Sequence, residues 1–492
     1  MDTSGKIKNL DVHTCFCYYL QSLDTSCLQS AEARYFMFRL RPDRVASMNT
    51  VLTIAASDSG GGAGIQADIK TIFALGGYAM SAVTAVTAQN TLGVTGINGL
   101  PPAFVREQID AVMNDIGARA VKTGMLLNAD IIAAVADALQ HHGMNRLVVD
   151  PVMVSTSGHS LMEDEALETL RTRLLPLAAL VTPNLAEAEK LSGFSVKTLE
   201  DMQHAAEAIH ALGPQAVLVT GGHLKDGCTD VLFDGRTHTL ITAPRIDTPH
   251  THGTGCTLSA AIATMIGRGQ GVREAVEGAK QFLTGALRGA RALGSGCGPV
   301  NHAAGLERCA QIYLCSTALE DAFSRLQAAG IGGLIPEIQS NMGYACADAG
   351  SVEDVVAFPG RIIRLRDGIV RVASPAPGAS RHIAKIILTA MRVDNACRAA
   401  MNILYTPATV ERCRELGFSI GEFDRNQEPP DIKQREGSTL EWGTDDVIER
   451  MGSVPDIIFD RGDVGKEPVC RVLGTDPADV AEKIIRIAGE RP

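Results

Sequence analysis

The clearest chemical signal in this sequence is a glycine-rich turn at residues 251–259, which has the sequence THGTGCTLS. An apolar helical run, residues 260–266, follows at once. Such a turn presents free backbone N–H groups and the positive end of a helix dipole, which together suit an anion such as phosphate. It is not a Walker A loop, because no lysine follows the glycines. A helix N-terminus with incidental glycines is the alternative, and local chemistry does not separate the two.

Other polar segments follow short apolar runs, and their positions predict the fold. These segments are SDSGGGAG at 57–64, DPVM at 150–153 and TPNLAEAE at 182–189. The apolar runs lie at 51–55, 82–87, 120–123, 147–149, 180–182 and 216–220, with amphipathic stretches at 102–116, 129–141 and 163–177. This alternation predicts an α/β fold with a mostly parallel sheet flanked by helices. Such sheets bind ligands beyond the carboxyl ends of their strands.

Composition excludes several classes of protein. The chain has 492 residues, a net charge of −11 and 4% aromatic residues, so it lacks the basic footprint of a nucleic-acid binder. No apolar run reaches the ~18 residues of a membrane span, and the N-terminus lacks the apolar segment of a signal peptide. Twelve cysteines without a CxxC pair favour reduced thiols. We therefore expect a cytoplasmic protein without nucleic-acid or membrane partners.

The chain divides into four segments by pattern. We expect a poorly ordered extension at 1–47, a first α/β domain at 48–294, and a linker at 295–305 that is rich in small residues. A second α/β domain then occupies 306–492. Its helices are predicted at 319–329 and 478–488, its last strand at 456–459, and a hairpin over 361–372.

The motifs of the first domain resemble the ribokinase superfamily, and within it the hydroxymethylpyrimidine/phosphomethylpyrimidine kinases. The matching segments are SDSGGGAGIQAD at 57–68, AQNT at 88–91, KTGML at 122–126, TPNLAEAE at 182–189, TGGH at 220–223 and HGTGCTLSAA at 252–261. The resemblance covers roughly residues 50–290. It implies a ribokinase-like sheet, ATP as phosphoryl donor, Mg²⁺ and a homodimer. Pyridoxal kinase is the nearest alternative within the superfamily.

The resemblance assigns the catalytic turn. Gly253, Thr254, Gly255 and Cys256 offer backbone N–H groups to the phosphoryl group in transfer. Most ribokinase-like enzymes have an aspartate base at the end of this motif, whereas the pyrimidine kinases and this chain have a cysteine. Because a helix N-terminus favours a thiolate, we expect a lowered pKa for Cys256, which then takes the proton of the substrate hydroxyl.

The resemblance also places the pyrimidine. Gln89 is expected to bind the aminopyrimidine edge, since its amide donates and accepts at once. Met125 and Val152 are expected to form apolar walls. Gly64 is expected close to the ring, and Asp68 is a weaker candidate.

Nucleotide contacts are expected at the ends of later strands. Asn184 and Glu187 match the family's NxxE motif, which acts on Mg²⁺ partly through water. Asp150 is expected near the same phosphates. Thr220 stands where a lysine often precedes the glycines, which puts a phosphate contact there in doubt. The implied reaction is phosphorylation of 4-amino-5-hydroxymethyl-2-methylpyrimidine to its monophosphate and then its diphosphate.

The second domain has its own anion-binding features. Arg361 ends a turn with apolar flanks, residues 378–380 (GAS) precede a helical stretch at 382–391, and Lys466 lies in a glycine-bearing loop. These features predict a pocket for phosphate.

Six segments of this domain together resemble the thiamine-phosphate synthase domain that archaea fuse to this kinase. They are QSNMGYA at 339–345, FPGRI at 358–362, PGASRHIA at 377–384, AMNI at 400–403, FDR at 423–425 and DRGDVGKEP at 460–468. The resemblance covers about 306–490 and implies coupling of the pyrimidine diphosphate with hydroxyethylthiazole phosphate. Arg361 and His382 match functional positions that stabilise the leaving diphosphate. Candidates for the substrate phosphates are Asn341, Ser380, Arg381, Asn402 and Lys466.

Two other functions for the second domain stay open. The same domain type, fused to DNA-binding helices, acts as a ligand sensor, although this chain shows no helix-turn-helix module. A purely structural oligomerisation domain is the other alternative. We predict a bifunctional enzyme of thiamine biosynthesis.

Overall fold

The computed structural model describes residues 48–153, 164–222, 228–366, 368–429, 439–463 and 465–489. The segment 1–47, for which we expect poor order, and His223 of the TGGH motif lie outside these residues. The described residues form two compact units, the first ending at Leu306 and the second beginning at Glu307. No described helix is long and apolar enough to cross a membrane. The nine cysteines among the described residues are all free.

The first unit is built on one large sheet. Its strands in the described residues are β1 (Thr50–Asp58), β2 (Tyr78–Asn90), β3 (Gly93–Gly99), β4 (Ala120–Thr123), β5 (Leu147–Val149), β6 (Leu180–Val181), β7 (Val217–Val219), β8 (Cys228–Phe233) and β9 (His238–Ala243). They lie in the order β3-β2-β1-β4-β5-β6-β7-β8-β9. The six central strands are parallel, namely β2, β1, β4, β5, β6 and β7 in sheet order. The strands β3, β8 and β9 are antiparallel additions at the edges.

Helices cover both faces of this sheet. They are α1 (Gly64–Ala74), α2 (Pro102–Asp115), α3 (Ala129–His141), α4 (Asp164–Thr169), α5 (Leu185–Ser192), α6 (Leu199–His210), α7 (Thr254–Gly267) and α8 (Val272–Arg288). Leu52 and Ile54 of β1 pack into the core with α2, α3 and α6, whereas Val51 packs on the opposite face with α7 and α8. Side chains of a strand alternate between faces, so an apolar strand serves two cores. The predicted mostly parallel α/β fold is confirmed.

The second unit has a mostly antiparallel sheet. Its described strands are β10 (Met342–Ala345), β11 (Val355–Ala357), β12 (Ile362–Leu365), β13 (Gly368–Arg371), β14 (Ala376–Pro377), β15 (Ala399–Leu404), β16 (Ile420–Glu422), β17 (Ile457–Asp460) and β18 (Val469–Gly474). The sheet order is β14-β11-β10-β15-β18-β17-β16, in which β16 and β17 are parallel. β12 and β13 form a separate antiparallel hairpin, as predicted.

Helices again pack on both faces of this second sheet. They are α9 (Ala304–Ala329), α10 (Arg381–Val393), α11 (Pro407–Glu415), α12 (Thr439–Met451) and α13 (Pro477–Ala488). α9, α11 and α13 contribute to the core on one face, and α10 and α12 to the core on the other. A second α/β domain is confirmed. α9 begins at Ala304, well before the predicted start of its helix at residue 319.

Candidate active sites

The glycine-rich turn forms the N-terminus of α7 and packs directly on the loop that follows β1. Gly253 is the residue that caps α7, with a left-handed φ of 81°. A Cβ at this position would lie 1.9 Å from the carbonyl oxygen of Gly62. Only glycine allows both this conformation and this close approach. The fold therefore brings together two glycine-rich segments whose contacting residues, Gly62 and Gly253, are 191 positions apart in the chain.

Gly64, predicted to lie near the substrate ring, closes the other side of this loop. Its φ is 55°, and a Cβ there would lie 2.3 Å from the carbonyl oxygen of Ala56. Its backbone N–H hydrogen-bonds to the thiol of Cys256. The start of α1 and the start of α7 thus meet at the cysteine.

Gln89, the predicted pyrimidine-binding residue, is joined to the turn by His252. Gln89 Nε2 lies 3.2 Å from His252 Nε2, and the same ring nitrogen lies 3.2 Å from Asp58 Oδ2. Ser59 Oγ also accepts from Gln89 N at 2.8 Å. Because His252 immediately precedes Gly253, the structure places Gln89 beside the glycine-rich turn.

Asp58, which ends β1, anchors this network. Its carboxylate accepts from the backbone N–H groups of Gly60, Gly62 and Ala63 at 2.8, 3.0 and 2.8 Å. Although burial opposes it, the hydrogen bonds from His252 and these amides hold the pKa of Asp58 below its ordinary value. A permanent negative charge at Asp58 therefore holds the loop and His252 in place.

A buried lysine lies beneath the turn, and sequence analysis did not assign it a role. Lys122 of β4 has a fully buried side chain whose Nζ lies 2.9 Å from each carboxylate oxygen of Asp68. Asp150 Oδ2 lies 3.9 Å from the same Nζ and accepts from Ser259 of α7 at 3.0 Å. Burial alone would lower the pKa of Lys122, but the carboxylates of Asp68 and Asp150 raise it above its ordinary value.

The expectation of a lowered pKa for Cys256 is wrong in this structure. Burial raises the pKa of the thiol to about 12, with Lys122 opposing the shift and the charges of Asp68 and Asp150 adding to it. The expectation considered only the start of the helix, whereas burial of the thiol in the folded unit is the largest influence on its pKa. Cys256 is therefore a neutral thiol at neutral pH in this structure.

The residues predicted to act on Mg²⁺ form the start of α5. Asn184 Oδ1 accepts from Glu187 N at 3.0 Å, and Glu187 Oε2 accepts from Asn184 N at 2.9 Å, a reciprocal cap. Burial and then the charge of Asp150 raise the pKa of Glu187 to about 8. Thr220 bonds to Pro183 O through its own N–H at 2.9 Å and so lies next to the cap.

The acids Asp150 and Glu187 suit a cation whose other ligands come mainly from a nucleotide. Among the described residues, no group of three or more His, Cys, Asp or Glu side chains could hold a metal on its own. Mg²⁺ commonly takes only one or two protein carboxylates and completes its shell with water and phosphate. A divalent cation would also stabilise the ionised forms of Asp150 and Glu187, which burial now disfavours.

The two predicted apolar walls lie together. Met125 packs with Ala56 and Ala85 in a small apolar cluster, and Val152 packs against the same cluster. Since Ala56 belongs to β1 just before the Asp58 loop, an apolar surface borders the polar network around Gln89.

The second unit contains a cavity of about 620 Å³. It is lined by six of the seven residues predicted for this domain, namely Asn341, Arg361, Ser380, His382, Asn402 and Lys466. Arg381 is not among the lining residues. It is the first residue of α10 and is exposed to solvent, whereas its neighbour His382 lines the cavity.

Strained backbone lies at the mouth of this cavity. Gln339 and Arg361 both line it and have left-handed φ values of 67° and 74°. Residues other than glycine seldom adopt this conformation, and such strain concentrates at functional sites. The Arg361 guanidinium donates to the carbonyl oxygen of Ile338, which fixes it beside Gln339.

The side chains of Asn341 and Asn402, two predicted phosphate ligands, form hydrogen bonds with backbone groups. Asn341 donates to Phe358 O at 2.8 Å and accepts from Phe358 N at 3.1 Å. Asn402 accepts from Asn341 N at 2.8 Å and donates to Gln339 O at 3.0 Å. These contacts hold the strained segment 339–341, so both asparagines have a positioning role whether or not they touch a phosphate.

Fold and first site together define a small-molecule kinase of the ribokinase-like class. Comparison with known families agrees: the phosphomethylpyrimidine kinase model matches residues 58–301, and the model of the thiamine-phosphate synthase ThiN matches residues 318–486. The chain belongs to the hydroxymethylpyrimidine/phosphomethylpyrimidine kinase family, with a ThiN domain following the kinase.

Individual relatives support this assignment. The thiamine biosynthesis bifunctional protein ThiED of Geobacter sulfurreducens is 52% identical over 254 residues, which are 51% of this chain and 52% of that protein. The hydroxymethylpyrimidine/phosphomethylpyrimidine kinase of Bacillus subtilis is 49% identical over 258 residues, which are 52% of this chain and 95% of that protein. The chain thus spans about half the length of the first relative and nearly all of the second.

A solved structure shows the same fold for the first unit. The ADP complex of Bacillus subtilis pyridoxal kinase is 42% identical, covers 52% of this chain and 98% of its own, and has a TM-score of 0.50. The ribokinase-like fold is therefore confirmed, and the solved relative is a kinase with bound nucleotide.

Proposed function

We propose that this protein makes thiamine phosphate in two stages. The first unit phosphorylates 4-amino-5-hydroxymethyl-2-methylpyrimidine with ATP, once to the monophosphate and again to the diphosphate. The second unit couples that diphosphate with hydroxyethylthiazole phosphate, releasing diphosphate. Family membership supports both activities, and the product of the first unit is the substrate of the second.

One observation carries the kinase assignment. His252 connects Gln89, which suits an aminopyrimidine edge, to the turn whose N–H groups suit a phosphoryl group. A pyrimidine bound at Gln89 between Met125 and Val152 would thus present its hydroxymethyl group near the start of α7. Pyridoxal lacks the aminopyrimidine edge that the amide of Gln89 matches.

In the first transfer, the hydroxymethyl oxygen attacks the γ-phosphorus of ATP, and the bond to the β,γ-bridging oxygen breaks to release ADP. The N–H groups of Gly253, Thr254, Gly255 and Cys256 stabilise the charge on the transferring group. Because the thiol of Cys256 is neutral in this structure, we assign most of the rate enhancement to these amides. Cys256, the base that the family resemblance implies, can accept the hydroxyl proton only in its thiolate form.

Magnesium bound with ATP would neutralise charge on the β- and γ-phosphates. Asp150 and Glu187 are the carboxylates placed to hold it, in part through water, next to Asn184. Thr220 forms a β-bridge with Asn184, and its contact with a nucleotide phosphate remains a prediction.

In the second unit, the thiazole nitrogen attacks the pyrimidine methylene carbon, a C–N bond forms, and the C–O bond to diphosphate breaks. The leaving group carries several negative charges. Arg361 and His382 line the cavity and are proposed to stabilise that charge as it develops, with Ser380 and Lys466 binding phosphate.

The test is incubation of the whole protein with ATP, Mg²⁺, hydroxymethylpyrimidine and thiazole phosphate, followed by assay for thiamine phosphate. Omitting ATP while supplying the pyrimidine diphosphate isolates the second stage. Pyrimidine diphosphate without thiamine phosphate would favour a sensory second unit. Preferential phosphorylation of pyridoxal, offered as a competing substrate, would replace the pyrimidine assignment. A homodimer and a cytoplasmic location also remain proposals.

A further inference from the structure

The cavity of the second unit is also lined by two arginines to which sequence analysis gave no role, Arg425 and Arg471, and both form a cluster with Asp460. Arg425 Nε and Nη2 lie 2.6 and 3.2 Å from the two oxygens of Asp460. Arg471 Nη2 lies 2.7 Å from Asp460 Oδ2. All three residues are buried, and both arginines line the cavity.

This cluster has one positive charge too many. Although burial opposes it, Arg471 and Arg425 hold the pKa of Asp460 below its ordinary value, so a single carboxylate faces two guanidinium groups. Among the described residues, neither arginine has a second ion-pair partner, and the buried Glu428 makes no ion pair with them. Burying an unbalanced charge is costly, and an anion entering the cavity would offset that cost.

The positively charged cluster lies beside residues of the predicted site. Arg471 of β18 is directly opposite Asn402 of β15 in an antiparallel pair, so the two side chains share one face of the sheet. Asn402 lines the cavity. So does the buried Ser340, whose hydroxyl has no hydrogen-bond partner among the described residues.

The other charged side chains that line the cavity are two cations and one acid. Arg361 and Lys466 also line it, whereas Glu467, an acid in the lining, is engaged by the backbone N–H groups of Glu337 and Ile338 at 2.9 Å each. The cavity is therefore positive at its mouth and in its wall.

We infer that Arg425 and Arg471, held in place by Asp460, form an anion subsite that binds a phosphate or diphosphate group of a synthase substrate. The planar forks of both arginines suit phosphate oxygens. The identity of the substrate rests on the proposed synthase function, whereas the presence of an anion subsite does not.

The test compares the full-length wild type with Arg471→Gln, which leaves Arg425 and Asp460 as a balanced pair. Arg412→Gln is the matched control, because Arg412 lies on the surface of α11, pairs with Glu415 and makes the same change in net charge. Calorimetry measures the binding of inorganic diphosphate, with the kinase site kept saturated by magnesium and a non-hydrolysable ATP analogue.

We expect Arg471→Gln to weaken diphosphate binding by about ten- to a hundredfold, the range for losing a charge-assisted hydrogen bond, and Arg412→Gln to leave it unchanged. Equal affinity in the wild type and Arg471→Gln overturns the inference. If Arg471→Gln does not fold, Arg425→Lys retains the charge but loses the fork, and the same comparison applies.

Steady-state kinetics then identifies the bound substrate. A raised KM for the pyrimidine diphosphate assigns the subsite to the leaving group, and a raised KM for thiazole phosphate assigns it to the second substrate. If the wild type makes no thiamine phosphate at all, the proposed synthase function fails, while the calorimetric comparison still decides the subsite.

Discussion

Replacing Lys122 with methionine tests the buried electrostatics beneath the kinase turn. The substitution keeps the apolar stem but removes the ammonium group that contacts both oxygens of Asp68. Asp68 would then keep the hydroxyl of Thr53, at 2.6 Å, as its remaining hydrogen-bond donor among the described residues. We expect a strongly destabilised first unit, because a carboxylate would be buried without a counter-charge.

The magnitude follows from the burial of the pair, since both side chains are fully inaccessible to solvent. Removing one partner of such a pair costs about 3–5 kcal/mol, which corresponds to roughly 10 °C in unfolding temperature for a unit of this size. The double variant Lys122→Met/Asp68→Asn removes both charges and keeps an acceptor for Thr53. Its cost should be below about 2 kcal/mol.

The chain offers an internal control for this measurement. Trp442 is its single tryptophan, and it packs against Phe423 in the second unit. Tryptophan fluorescence therefore follows unfolding of the second unit alone, whereas far-UV circular dichroism follows both. Equal destabilisation in the single and double variants, or a shift of the Trp442 transition, would refute the proposed charge coupling.

Three other substitutions test the sites. Cys256→Ala should leave the fold intact and lower kinase turnover by about 10²-fold, the lower end for loss of a general base; wild-type turnover would remove that role. Arg361→Ala should reduce thiamine phosphate formation by about 10²- to 10³-fold and spare the kinase, which separate assays of the two reactions would check. Because burial and then Asp150 raise the pKa of Glu187 from 4.5 to about 8, protonated Glu187 favours the folded state. The stability it contributes is complete below about pH 4.5 and is lost as pH rises through about 8, so Glu187→Gln should be more stable than wild type above pH 8. Denaturant unfolding of both proteins without Mg²⁺ across this pH range measures the difference, and the same pH profile of stability in both would contradict the raised pKa.

The interior strands of the first unit were predictable because each is a short, continuous apolar run. β4 and β5 match their predicted bounds, and α3 matches at both ends. The edge strands β3 and β9 were missed because most of their residues are exposed or only partly buried, so their sequences lack an apolar run. A sequence pattern reveals a strand through the apolar residues that become buried, and an edge strand contains few of them.

The linear motifs gave the candidate residues, but not their charge states. Gly253, Gln89 and Asp150 could each be found from a segment of sequence. The raised pKa of Cys256 comes first from burial in the folded unit, with further contributions from Asp68 and Asp150, which lie 188 and 106 residues earlier in the chain. No local pattern contains that information.

A usable signal nevertheless existed for the missed residues. Lys122 lies within the short, fully buried strand AVKT, and Arg471 lies within the fully buried strand VCRVLG. A single charge inside an otherwise apolar strand requires a buried partner, because leaving it unpaired would cost several kcal/mol. Each of these two residues proved to be part of the buried charge cluster of its unit.

The two clusters differ in sign, and the difference fits the two proposed reactions. In the first unit, one lysine lies near two acids, Asp68 and Asp150, whose pKa values are raised by burial, so their ionised forms favour a nucleotide that arrives with a cation. In the second unit, one carboxylate, Asp460, faces two arginines, so the site has excess positive charge and favours an anion that must leave. The kinase site can hold nucleotide phosphates near its acids only when a bound cation neutralises the phosphate charge. The synthase site must stabilise the negative charge of the departing diphosphate. The different charge balance of the two buried clusters is therefore consistent with the two reactions proposed for the units.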